Sequence, residues 1–444
     1  MPGTPQRAEN APELTAAQRE VLAAQRADPE NTTYNVGQYL DLRGPLDAGL
    51  LQEAVRRTLT EAPGLHLRFR GGEGRVLAEH VPFAPEAWRL HRLDTSGAAD
   101  PVDSAIALVR DQLACPPRLD APAAEADAPA APLTGMVLVR VGERRHLLVQ
   151  YFHRIAVDGY GVCLLTHRIA ALYRAARRGD PSPACPFAPM RLLVEAERAY
   201  AGSAAEAADR AYWARHAAEP PRAALPRPRP APDAHRIRRR TVRVAGAGAA
   251  SLEAAVRGAR VTWAEAVTAA LAAQLHLEND GREPVMRMYA TARTAPGALR
   301  VPGAAVNVLP LRAPVGPGDS FRAVLARVAV EFRAARAHQL YRRPPGASGA
   351  PPSGVLLNLR PFDTPPDFGD VSARVVPLAS GPVEDLSLSA VRDPGGGLRI
   401  DLDANGGAYG HEELAGLAAR YAELLGRLCA QPDRPLSALA APAP

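Results

Sequence analysis

Lysine is absent from this 444-residue chain, and all 53 basic residues are arginine. That absence excludes the phosphate lysine of a P-loop, the strand lysine of a protein kinase and any Schiff-base lysine. Cysteine is scarce. Cys115, Cys163, Cys185 and Cys429 are scattered, with no CxxC pair and no Cys/His cluster at ligand spacing. Neither a metal site nor a disulfide framework is expected. Aromatic residues make up 5% of the chain, and the densest basic run, His235–Arg240, has none interleaved. It is read as a solvated segment, not a nucleic-acid platform. The net charge of +6 accompanies an abundance of Arg, Ala and Pro typical of GC-rich coding. It carries no nucleic-acid argument, although a basic face suits an acidic partner protein. No stretch reaches the ~18 consecutive apolar residues of a membrane span. Met1–Asn10 is polar and lacks the apolar centre of a signal peptide. A cytoplasmic protein without a membrane partner is expected.

The length exceeds one ordinary core, so two domains of about 200 residues each are the natural expectation. The segment Glu219–His235 contains Pro220, Pro221, Pro226, Pro228, Pro230 and Pro232. Repeated proline extends the backbone and supports neither helix nor sheet, which makes this the boundary. The expected division is an N-terminal lobe over 1–218, a linker over 219–236 and a C-terminal lobe over 237–444. The first half reads as a helix over 14–27, a strand Tyr34–Leu42, and a helix capped by Asp47 and running to Thr60. Strands Leu65–Phe69 and Arg75–His80 follow across a Gly-Gly turn, then a strand Trp88–Leu93 and a helix Val102–Leu113. Cys115–Pro132 is a Pro- and Ala-rich loop. Strands Met136–Val141 and His146–Phe152 form a hairpin, and a further helical region covers Met190–His216. The second half opens with a strand Arg239–Val244. The segment Gly246–Ser251 lacks the third glycine of a dinucleotide loop and is read as a turn. The helices Trp263–Leu277, Phe321–His338 and Glu412–Leu428 alternate with the strands Val285–Ala290, Ala305–Leu311, Val355–Leu359, Val371–Val376, Leu386–Val391 and Leu398–Asp403. Such a pattern argues for two α/β lobes of largely antiparallel character.

The central stretch is Tyr151–Gly161, where an apolar strand stops and an amphipathic helix begins. His153, Arg154, Asp158 and Gly159 lie at this corner, a place where scaffolds present polar groups. Spacing alone favours the simpler reading, a turn whose Asp158 caps the next helix. Cys163 and His167 lie one helical turn apart on that helix and are read as core or wall. His338 is read as satisfying a helix C-terminus. Gly346–Ala350 lacks the closing glycine of a serine nucleophile elbow.

Five segments in order change the weighting. Leu14-Thr15-Ala16-Ala17-Gln18-Arg19, His153-Arg154-Ile155-Ala156-Val157-Asp158-Gly159, Val301–Arg312, Arg336-Ala337-His338-Gln339 and Gly381–Ser387 together resemble the motifs of nonribosomal peptide synthetase condensation domains, in the siderophore-synthetase form. The resemblance covers nearly the whole chain. It implies two chloramphenicol-acetyltransferase-like lobes in a V-shaped pseudodimer around a central tunnel, in a monomer. It also implies donor and acceptor carrier proteins that feed phosphopantetheine arms inward, no cofactor held by the chain itself, and adenylation or tailoring enzymes as further partners. Adenylation and carrier signatures are absent, so the acyl groups come from elsewhere. The chain is either free-standing or one domain of a longer synthetase.

By the same resemblance Asp158 pairs with Arg293 of the second lobe, and His153 is mainly structural. It also implies that Asn307, Asp385 and Ser387 line the tunnel, while Tyr160 is read either as a tunnel-lining residue or as an ordinary packed tyrosine. The family's signature is His-His-x-x-x-Asp-Gly, and its second His is the proposed base. Here that position is Arg154, which stays protonated and has no acceptor lone pair. Three readings follow. One is an amide-forming condensation enzyme that works by positioning. Another is a non-catalytic module that recruits a partner enzyme or carrier. The last is a cyclisation on a carrier-bound substrate. The first is preferred because the tunnel-lining motifs are present. Heterocyclisation and epimerisation domains are disfavoured because their own motifs are missing.

Overall fold

The computed structural model describes residues 13–440 except 73–74, 118, 120–132, 219–235, 280, 282, 317, 344–353 and 394. In chain order the elements begin with α1 (Ala16–Ala27), β1 (Asn35–Arg43), α2 (Ala48–Thr60), β2 (Leu67–Gly72), β3 (Arg75–His80), β4 (His91–Asp94) and α3 (Pro101–Leu113). Next come β5 (Thr134–Gly142), β6 (Arg145–His153), α4 (Gly159–Arg178), α5 (Arg191–Tyr200), α6 (Ala204–Ala218), β7 (Ile237–Val244), α7 (Gly246–Ala259) and α8 (Trp263–Glu278). The rest are β8 (Val285–Ala290), β9 (Asn307–Arg312), α9 (Phe321–Ala337), β10 (Val355–Leu359), β11 (Ser372–Ala379), β12 (Leu386–Arg392), β13 (Leu398–Asn405), α10 (His411–Ala430) and α11 (Leu436–Ala440). Among the described residues no helix is long and apolar enough to cross a membrane.

Two compact units result, and they are interleaved in sequence. The first takes the described residues up to Ala199 together with Arg293–Val306 and Pro365–Pro382. The second takes Tyr200–Ala292, Asn307–Thr364 and the described residues from Val383. The cut expected at 219–236 treats each half as continuous, whereas two later segments join the first unit. Arg293 therefore belongs to the same unit as Asp158, not to the other lobe as the resemblance implied. The proline-rich stretch itself lies outside the described residues, as do Gly346–Ala350 and most of the loop at 115–132.

The first unit is a five-stranded sheet in the order β11-β1-β6-β5-β4. The two-residue period of a strand sorts its side chains onto two faces. Leu40, Leu42, Leu148 and Phe152 face a core closed by Leu51 and Val55 of α2 and by Leu165 and Ile169 of α4. Tyr39, Leu147 and Val149 face the opposite way, onto Ala105 and Val109 of α3. Asp47 caps α2 as expected, accepting from the amides of Gly49 and Leu50. The second unit is a six-stranded sheet, β7-β13-β12-β10-β8-β9, in which β10 runs parallel to both neighbours and the other pairings are antiparallel. One face packs on the helices. α8 is buried from Trp263 to His276, its apolar residues spread around the axis with the polar Glu265, Thr268, Gln274 and His276 buried among them.

Several expected elements differ. Trp88–Leu93 is not one strand, because a turn occupies residues 85–87 and β4 starts at His91. The region 190–216 is two helices. Gly202, at φ +73, breaks it between α5 and α6. Gly246 opens α7 directly, so residues 246–251 are helix and not a turn.

Candidate active site

The signature turn is anchored from both ends. His153 closes β6 and pairs with Asn35 of β1, and its amide donates to Leu133 O at 2.7 Å. Arg154 N donates to Tyr34 O at 2.9 Å. Ile155, Ala156 and Val157 are fully buried, so three apolar residues plug the corner into the core beneath it. Asp158 then caps α4, accepting from Gly161 N at 2.9 Å. The opening motif grips the same corner. Gln18 Nε2 donates to Ile155 O at 2.9 Å, and Thr15 Oγ1 donates to Ala304 O at 2.7 Å.

Asp158 is buried and saturated. Its Oδ2 accepts from Arg293 Nη1 at 2.8 Å, Ala305 N at 2.9 Å and Val306 N at 3.1 Å. Its Oδ1 accepts from Arg293 Nη2 at 3.1 Å and from Gly161 N. Burial by itself would raise the carboxyl's pKa. The Arg293 charge and the hydrogen bonds outweigh it, holding the group below its ordinary value. Five donors fill the accepting capacity of a carboxylate. Both carboxylate oxygens of Asp158 are therefore committed to hydrogen bonds within the first unit. Gly161 permits the approach of α4 to this loop: a Cβ there would run into Val157 and lie 3.1 Å from Gly303 N.

His153 is equally committed. Ile155 N donates to its Nδ1 at 3.3 Å, which leaves Nε2 as the protonated nitrogen, facing Gln25 Oε1 at 3.3 Å. The Gln25 amide nitrogen is tied to the carbonyls of Asp28, Pro29 and Asn31, which fixes its oxygen toward the ring. Burial, and then the charge of Arg154, lower the imidazole pKa to about 3. It is neutral at physiological pH, with both nitrogens engaged.

Arg154 is 9% exposed, so it does not point into bulk solvent. Its side chain lies against Gly381. A Cβ there would run into Nη1, with Cδ and Cζ 3.3 Å away. Gly381 also has φ +113, a region that favours glycine. Tyr160 donates to Leu299 O at 3.0 Å, and Arg293 stacks over its ring at 5.0 Å. Gly159 has no positive φ, and a Cβ added there would meet nothing within 4 Å.

The remaining candidates lie in the second unit. Asn307 Nδ2 donates to Gln339 O and Tyr341 O, both at 2.9 Å. Ser387 Oγ donates to Leu356 O at 3.0 Å. Burial pushes the Asp385 carboxyl up, against a 2.8 Å bond from Tyr409 Oη. His338 caps α9, but its ring goes elsewhere than the helix end: Nδ1 is 2.7 Å from Asp209, and the ring stacks on Tyr212. Sequence reasoning did not single out Gln25, Gly381 or Gly303. Gln25 carried no signal. The two glycines lay inside matched motifs, where only the packing shows their purpose.

The family model described as Condensation domain matches residues 8–342. The chain belongs to the condensation-domain family. This condensation domain is 33% identical, over 96% of its length, to the isonitrile lipopeptide synthase of Streptomyces coeruleorubidus, of which it covers 29%. It is 30% identical, over 94% of its length, to enterobactin synthase component F of Escherichia coli (strain K12), of which it covers 32%. It thus spans about a third or less of these curated relatives. Among solved structures it is similar to the first condensation domain of the calcium-dependent antibiotic synthetase in complex with a substrate analogue. That match has a TM-score of 0.86 at 31% identity and covers 97% of this chain and 98% of the other. It is also similar to a variant of the starter condensation domain of rhizomide synthetase RzmA in complex with C8-CoA, with a TM-score of 0.87 at 29% identity and coverage of 97% and 98%. The mixed α/β architecture is therefore the chloramphenicol-acetyltransferase-like fold that the motifs implied.

Proposed function

We propose that this condensation domain joins an acyl or aminoacyl group, held as a thioester on a carrier protein's phosphopantetheine arm, to an amine acceptor. The product is an amide in nonribosomal peptide or related natural-product biosynthesis. The supporting observation is the signature turn. Its aspartate has every acceptor position filled, and the residue in the second-histidine position is buried at the same corner. Donor and acceptor carrier proteins are the proposed partners. Asn307 and Ser387 take supporting roles, since their donors are taken up by backbone carbonyls. Asp385 is the second unit's candidate for substrate contact.

The acceptor nitrogen attacks the thioester carbonyl carbon. The tetrahedral intermediate collapses with cleavage of the C–S bond, and the proton on nitrogen passes to the departing thiolate. An amide and a free thiol remain. Arg154 cannot accept that proton, so its role is to hold the developing oxyanion with a fixed guanidinium. A general base is typically worth ~10²–10⁴ in rate. Holding amine and activated carbonyl together supplies up to ~7–11 kcal/mol, which leaves room for an enzyme that works by positioning.

One observation favours a second reading, a non-catalytic docking module. None of the three ionisable groups at the turn can act as a base: His153 has both nitrogens engaged, Arg154 is a permanent cation and Asp158 is saturated. Intact-protein mass spectrometry of a loaded donor carrier with acceptor supplied separates the two. Transfer by wild type, slowed by ~10²–10³ in Arg154→Ala as for loss of an oxyanion donor, supports the enzyme. No transfer by wild type, with transfer by Arg154→His, overturns it in favour of the module.

A further inference from the structure

We propose that Gln339 is a positioning residue for the signature turn, acting through Ala292 and Arg293. Ala292 has φ +50. The only other non-glycine with positive φ among the described residues is Arg260, at the C-terminal cap of α7, where a left-handed residue closes a helix. No helix end accounts for Ala292, and its Cβ disfavours the conformation. What holds it is a hydrogen bond. Ala292 N donates to Gln339 Oε1 at 3.0 Å.

Gln339 is itself fixed. Its Nε2 donates to Arg336 O at 3.0 Å, and its carbonyl accepts from Asn307 Nδ2 at 2.9 Å. The residue before it, His338, is pinned by Asp209 and by Trp213 Nε1, which donates to the His338 carbonyl at 3.0 Å. β8 ends at Ala290 and β9 begins at Asn307, and these two residues are paired. Residues 291–306 are thus a loop closed at its base. Gln339 holds one limb with its side chain and the other with its main chain. The loop supplies Arg293 Nη1 and Nη2, Ala305 N and Val306 N, four of the five donors on Asp158. Arg293 directly follows the left-handed residue, so a return of Ala292 to an ordinary φ would swing the guanidinium off Asp158.

The consequence for activity rests on the function proposed above, but the test does not. Hydrogen exchange followed by mass spectrometry reads the amides of Ala305 and Val306. In Gln339→Leu they are expected to exchange at least ~10-fold faster, equivalent to about 1.4 kcal/mol. Adding Ala292→Gly, which accepts positive φ freely, is expected to return them to within about threefold of wild type. Gln339→Glu keeps an acceptor oxygen for Ala292 but loses the donor to Arg336 O, so it is expected to exchange faster than wild type by less than ~10-fold, which serves if Gln339→Leu does not fold. Unchanged exchange in Gln339→Leu overturns the proposal. So does failure of the glycine to restore protection, or a loss of ~10-fold or more in Gln339→Glu. Because no turnover is measured, an inactive protein leaves this outcome intact.

Discussion

Replacing Asp158 by alanine removes one carboxylate from five donors. Arg293 keeps its charge, with its side chain wholly buried, and loses its counter-ion. Gly161 N, Ala305 N and Val306 N lose their acceptor. Each orphaned buried donor costs about 1–3 kcal/mol taken singly. The losses share one cavity that water can enter, so they do not sum. Breaking a buried ion pair by removing one partner costs about 3–5 kcal/mol, and that is the expected loss for Asp158→Ala. For a unit of ~200 residues, 1 kcal/mol shifts Tm by ~2–4 °C, so a fall of roughly 6–20 °C is expected. The assay is a thermal melt at neutral pH, followed by far-UV circular dichroism. The double variant Asp158→Ala/Arg293→Met removes the stranded charge and should recover part of the fall. The carboxyl's pKa is lowered by folding. Its stabilisation is therefore present above the unfolded value of 3.8 and lost as pH drops through the folded value. A single variant melting within 2 °C of wild type, or a double variant no better than the single, refutes the assignment of this pair as the turn's anchor.

His153 gives a second pH dependence, of the type in which folding lowers the pKa. The unfolded chain takes up a proton near pH 6.5 and the folded one only near 3, so stability is full above 6.5 and falls as the pH drops between them. Between pH 7.5 and 5 the wild type should lose about 2 kcal/mol more than His153→Gln, read from urea melts at both pH values; equal losses count against a neutral His153. Gly381→Ala should cost about 1–3 kcal/mol, from its positive φ and its collision with Arg154, and adding Arg154→Ala should recover the steric share in the same melts. Gly159→Ala meets open space at the first position of a helix, so it should keep or raise stability by up to ~1 kcal/mol. If substrate passes there, the same variant should slow transfer in the mass-spectrometric assay, whereas wild-type rates would place the reaction elsewhere.

The corner itself was legible because its signals are local. An apolar strand, an Asp at the N-cap and a glycine-containing first turn lie within a dozen residues, and short-range patterning specifies them. The partnership of Asp158 with Arg293 was legible only through the family's motifs, since no local rule links residues 135 apart. The pairing of β11 with β1, across more than 300 residues, was not legible at all. Both strands alternate acceptably, but alternation does not name a neighbour. The same gap hid the interleaving of the two units. A proline-rich stretch marks where a chain is extended, and it carries no record of which later segments fold back. Gln25 and Gly381 were missed for a related reason: an amide on a helix and a glycine in a loop acquire meaning only from what packs against them.

The interleaving bears on how such domains are recombined. A hybrid spliced within 219–235, the boundary that composition suggests, would take residues 293–306 and 365–382 from the other parent. Its aspartate would meet an arginine, and its Arg154 a glycine, that had evolved beside different neighbours. Grafts that carry those two segments along with the N-terminal part keep each anchor with its own mate, at the expense of four additional junctions.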